Sequence, residues 1–148
     1  MRTLIITLII LIASPAFAGW QFGERSNEMG DMHVATAFTR DCDPDYDAVL
    51  GVAENERVGV ILTLYVPGER FLDGNNIDIK IDDGPVISLY AIRQDQMFMA
   101  TPSDTLIHML KTGRNVKVRF ETQAAIHTVD FSLDGSAAAI NKLQGRTK

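Results

Sequence analysis

From Trp20 onward, apolar and polar residues alternate in short runs separated by turn residues, the period-2 signature of strands with one buried face. Trp20-Gln21-Phe22 begins the pattern, and Met32 to Phe38 repeats it before the charged segment Arg40 to Asp47. Val49 to Ala53 and the β-branched run Val58 to Val66 follow, the latter closed by Pro67-Gly68. The cleanest alternation is Ile77-Asp78-Ile79-Lys80-Ile81, which aims three isoleucines at a core and Asp78 and Lys80 at water. Asp82-Asp83-Gly84-Pro85 then signals a turn. Val86 to Ile92 returns as its partner, so the pattern predicts a hairpin over Ile77 to Ile92. Further on, Val116, Val118 and Phe120 share one face of a strand whose other face carries Lys117 and Arg119. In the last strand Ile126, Thr128, Asp130 and Ser132 oppose His127, Val129, Phe131 and Leu133.

Two segments change period. Pro102-Ser103-Asp104 places a capping residue ahead of Leu106, Ile107, Met109 and Leu110, with Gly113 as the stop. Ser136 to Leu143 is alanine-rich, and Ile140 and Leu143 form an i, i+3 apolar pair. About eight short strands and two short helices predict a mainly β fold, a single β-sandwich or a partly open barrel. The domain is expected over residues 19–143, with 144–148 as a tail.

The first eighteen residues belong to a different class. A short basic start containing Arg2, an apolar run from Leu4 to Ala13, a break at Ser14-Pro15 and then Ala16-Phe17-Ala18 are the parts of a cleavable signal peptide in order. The run is shorter than the roughly 20 residues that span a bilayer. Cleavage after Ala18 and a periplasmic or secreted location are expected, with no integral membrane segment left.

Charge then narrows the partners. The chain has 14 basic and 19 acidic residues, a net −5, and losing Arg2 makes the balance more negative. That sign argues against nucleic acid, whose phosphates call for a basic surface, and against an anionic membrane surface. The single cysteine, Cys42, excludes an internal disulfide, so it is either buried or linked to another chain.

Candidate chemistry is sparse. His33, His108 and His127 sit on three different predicted elements with no metal-ligand spacing. Cys42 lies between Asp41 and Asp43, which raise rather than lower a thiol pKa. The Asp41 to Asp47 segment offers four alternate carboxylates to calcium, but Tyr46 and Val52 occupy the glycine and bidentate-glutamate positions of an EF-hand. A solvated acidic loop accounts for it. Lys111, Arg114, Lys117 and Arg119 would suit an anion if they converged, although a solvent-facing strand explains them equally. A pairing of His127 with Asp130 or Asp104 would support the alternative of a small periplasmic hydrolase. These residues supply no catalytic, cofactor or metal assignment.

From Val66 to Leu143 the order of features resembles the invasion-associated locus B family of exported bacterial proteins. Val66-Pro67-Gly68, Leu72-Asp73-Gly74 and the strand Ile77 to Asp82 ending in Asp83-Gly84 carry the resemblance. So do Leu106, Leu110, Lys111 and Gly113, the strand Val116 to Phe120, Phe131-Ser132-Leu133-Asp134-Gly135-Ser136 and Ala139 to Leu143, with Trp20 as the early tryptophan. Where that family carries central cysteines, this chain has Ala91, Met97 and Ala100. Trp20 to Val66 is similar to the type VI secretion-associated VasI/TagO-like proteins. Both resemblances imply a non-enzymatic envelope protein that binds an envelope or host protein. Tyr90, Met97, Phe98 and Met99 are candidate contact residues, since methionine- and aromatic-rich stretches suit adaptable surfaces, although a core strand explains them equally well.

Overall fold

A computed structural model describes residues 19–26, 33–40, 47–55, 59–67, 76–94, 96–122 and 125–145. The signal segment, Asp41 to Tyr46 with Cys42, and Leu72-Asp73-Gly74 lie outside them. Among the described residues, alternation becomes strand at β1 (Gln21–Ser26), β2 (His33–Arg40), β3 (Val49–Asn55), β4 (Gly59–Tyr65), β5 (Asn76–Ile81) and β6 (Val86–Tyr90). Then come β7 (Ile92–Gln94), β8 (Met97–Ala100), β9 (Asn115–Glu121) and β10 (Ile126–Ser132). Helix α1 (Asp104–Thr112) separates β8 from β9, and α2 (Ser136–Gly145) closes the described chain.

These strands form two antiparallel sheets, ordered β1-β2-β3-β4-β8-β7 and β10-β9-β5-β6. Among the described residues both sheets are open, so the architecture is a sandwich rather than a barrel. Ten strands replace the expected eight or so because the Ile92 to Ala100 stretch adds two. Polar Arg93, Gln94 and Gln96 interrupt its alternation, so each strand is too short to read as periodic. The predicted return strand Val86 to Ile92 also divides. Buried Ala91 is where the chain leaves the smaller sheet, paired as β6 with β5, and enters the larger one as β7.

One apolar cluster unites the layers. Leu50, Leu62 and Leu64 come from the larger sheet, Ile77, Ile79, Val116, Val118 and Phe131 from the smaller. The Phe98 and Phe120 rings, one from each sheet, lie 6.1 Å apart at 60°. Such tilted aromatic contacts add a little beyond the burial of their area. Helix α2 packs against α1 and against β1, β2 and β3, and buries Ala139, Ile140 and Leu143. The buried Ser136 hydroxyl donates to the Leu110 carbonyl at 2.7 Å and ties the two helices together.

Local chemistry sets the boundaries. Ser103 caps α1, its Oγ accepting from the Leu106 N–H at 3.1 Å. Gly113 ends that helix in an extended conformation (φ −77°), so backbone handedness is not what requires glycine there. A Cβ at Gly113 would sit 2.5 Å from Ile81 Cγ2 and 2.9 Å from Leu133 Cδ1. Gly135, by contrast, has φ +79° in the turn into α2, directly against the Trp20 backbone. Trp20 is pinned there: its backbone N–H donates to the Asp134 carbonyl at 3.0 Å and its indole N–H to the Ser132 carbonyl at 2.9 Å. The start of the sandwich is thereby stitched to its last strand.

Candidate functional site

Among the described residues the open sheets leave four edge strands: β1 and β7 on the larger sheet, β10 and β6 on the smaller. Two of them are consecutive in sequence. β6 runs into β7 through Ala91, so the chain borders both sheets in one pass. Alternation turns Val86, Ser88 and Tyr90 outward and Ile87 and Leu89 toward the core. Tyr90 is 68% and Val86 57% exposed, and Ile92 on β7 is 63% exposed. Ile87 and Leu89 are only half-buried, whereas Ile77 and Ile79 on the next strand are 1% exposed. Among the described residues β6 has no outer neighbour, so its core-facing side chains are covered on one side only. Among the described residues Ile126, 68% exposed at the start of β10, is the other large apolar side chain displayed, on the opposite edge.

Polar residues occupy the outer face of the smaller sheet between these edges. Register sets Asp78 opposite Ser88 on one side and Arg119 on the other. The Ser88 hydroxyl and the Arg119 guanidinium both donate to the Asp78 carboxylate, Arg119 Nε at 3.1 Å. Hydrogen bonding from Ser88, then from Arg119, holds that carboxyl below its ordinary range. Lys117 lies 4.0 Å from Asp130, and Lys80 is placed directly across from Lys117.

The four basic residues read from the sequence do not converge. Arg119 serves Asp78, Lys117 lies by Asp130, and Lys111 Nζ donates to Gln144 Oε1 at 3.2 Å. Arg114 contributes its backbone N–H to the Asp82 carboxylate, which also accepts from Asn115 and so fixes the hairpin turn to the start of β9. His108 is exposed on α1. His127 stacks on Phe120 at 5.3 Å and meets the Thr122 hydroxyl at 3.1 Å, on the face of β10 opposite Asp130. His33 begins β2, and its side chain lies outside the described residues. Asp47, the described end of the acidic segment, lies 3.6 Å from Arg40 Nη1. Among the described residues, no group of three His, Cys, Asp or Glu side chains is placed to hold a metal ion.

Of the four residues read as contact candidates, Tyr90 is displayed, Met99 is half-buried, and Met97 and Phe98 are buried. Phe98 belongs to the central core. Met97 joins Phe38, Val49 and Tyr65 in a separate cluster on the other face of the larger sheet. Burial and the negative charge of Asp47 raise the Tyr65 phenol pKa, and its hydroxyl donates to Gln96 Oε1 at 3.3 Å. The exposed Val86, Ile92 and Ile126 escaped the sequence reading. Register supplies the missing signal for Val86, because Ser88 opposite polar Asp78 puts every second residue of β6 on the outer face.

No protein-family model matches the chain, and no curated protein matches it by sequence. Among solved structures, the chain is similar to invasion associated protein B from Bartonella henselae, with a TM-score of 0.61 at 15% identity. The likeness covers 85% of this chain and 93% of that one. The fold implied by the resemblance to the invasion-associated locus B family is therefore the fold this chain adopts.

Proposed function

We propose that this protein is an exported, non-enzymatic envelope protein that works as a binding or accessory module. Its contact surface is the flank where β6 passes into β7. The observation that carries the reading is the pair Tyr90 and Ile92, both largely exposed on either side of buried Ala91. Large apolar side chains displayed together at a sheet edge are characteristic of surfaces that receive another protein, by strand addition or side-chain docking. The amino-terminal signal pattern supports export, and no described helix is long and apolar enough to cross a membrane. The fold shared with a protein called invasion associated protein B supports a role at the cell envelope or toward a host.

Capture from envelope extract tests this. Tagged protein of residues 19–148, its Cys42→Ser form and an Ile92→Asp form serve as baits. A partner held by the first two and lost by Ile92→Asp is the expected result. Capture that ignores Ile92→Asp rules out the flank, and capture lost only with Cys42→Ser assigns binding to a disulfide instead.

A further inference from the structure

Edge strands invite pairing, and native sheets discourage it with charge. Three of the four edges follow that rule: β1 carries Glu24, β7 carries Arg93, and β10 carries Asp130. β6, Val86-Ile87-Ser88-Leu89-Tyr90, carries no charge. Its core-facing Ile87 and Leu89 pack against the core at the lip of the sandwich but are only partly buried. The unguarded edge and the partly covered lip are separate observations on the same five residues.

We infer that β6 pairs antiparallel with β6 of a second copy of this chain, about a two-fold axis at Ser88. This rests on the binding-module reading and names the partner at one half of the flank. The strand is close to a palindrome about Ser88. Pairing there sets Val86 against Tyr90 of the second copy on the outer face, and Ile87 against Leu89 of the second copy on the core side. Each exposed apolar residue meets another, both lips are covered, and no like charges face each other. Register is restricted as well. Any slip by one residue sets core-facing side chains against outward ones. Centring the axis on Ile87 or Leu89 brings Pro85, which lacks an N–H, or buried Ala91 into the ladder. The closed, isologous contact joins two four-stranded sheets into one of eight strands. A seam this short is smaller than a standard stable interface, so the dimer is reversible and concentration-dependent.

The test uses the exported form left after cleavage at Ala18, residues 19–148, with Cys42→Ser. Sedimentation of this form should show a dimer growing with concentration. Ser88→Cys should cross-link into a covalent dimer on mild oxidation, because residues opposed across an antiparallel pair lie within disulfide reach. Thr128→Cys, on the far edge strand, should cross-link at least tenfold more slowly. Ser88→Lys and Ser88→Glu should each be folded monomers by circular dichroism and sedimentation, and mixing them should restore the dimer. A purely monomeric Cys42→Ser protein up to millimolar concentration, or equal cross-linking at Ser88→Cys and Thr128→Cys, overturns the inference. If dimerisation fails while Ile92-dependent capture persists, the two-fold pairing is refuted and the binding-module reading stands. A dimer that forms with no capture leaves self-pairing in place and removes the other partner.

Discussion

Gly113→Ala isolates a packing effect from a backbone effect. At φ −77° the backbone accepts alanine, so conformational entropy alone predicts a gain of about 0.4–1 kcal/mol. Space predicts the opposite. The new methyl would lie 2.5 Å from Ile81 Cγ2, 2.9 Å from Leu133 Cδ1 and 3.0 Å from the Met109 carbonyl oxygen. Ile81 and Leu133 are 4% and 3% exposed, so neither can swing into solvent. Forcing a methyl into such a site costs about 1–3 kcal/mol. The net expectation is a loss of about 1–2 kcal/mol, read by thermal unfolding as a fall in Tm of roughly 3–8 °C. A cycle with Ile81→Leu, which removes Cγ2 while keeping volume, sharpens the test. Ile81→Leu should cost less beside Gly113→Ala than alone, with a coupling of about 0.5 kcal/mol or more. A Gly113→Ala protein melting at or above the wild-type temperature would refute the argument and return Gly113 to the role of a plain helix stop.

Ser103→Ala removes the Oγ that receives the Leu106 N–H and should lower stability by about 1 kcal/mol in urea unfolding, with Ser103→Asp restoring most of it. Trp20→Phe keeps an aromatic ring but strands the Ser132 carbonyl, which should cost about 1 kcal/mol by calorimetry. Asp78 supplies a pH dependence. Its folded pKa is depressed, so its contribution is complete above the ordinary 3.8 and is lost as the pH falls through the lower folded value. The stability difference between wild type and Asp78→Asn should therefore shrink on acidification below that point. A difference that grows there would contradict the Ser88–Asp78–Arg119 arrangement.

How much of this was legible in the sequence differs from element to element. Ile77, Ile79 and Ile81 announced their burial because a half-buried strand exposes its period directly, and Val116, Val118 and Phe120 did the same. Ser103 and Gly113 marked the ends of α1, since capping is satisfied within one turn of chain. The β5–β6 hairpin was legible from its turn residues. The site was less so. Tyr90, Met97 and Phe98 share one aromatic- and methionine-rich stretch, yet they occupy three different environments.

The sequence by itself determined most of the strands and both helices, β7 and β8 excepted, which face of each prefers burial, and the absence of an internal disulfide. Those properties follow from residues within a few positions of one another. Only the tertiary structure decided that the chain changes sheets at Ala91, that the sheets stay open, and that an uncharged strand lies at an edge. It also decided that Gly113 is held by Ile81 and Leu133 rather than by its own dihedral angles. Being at an edge is a property of neighbours, and neighbours in a sandwich are distant in sequence. Local periodicity therefore cannot tell a strand with two partners from a strand with one.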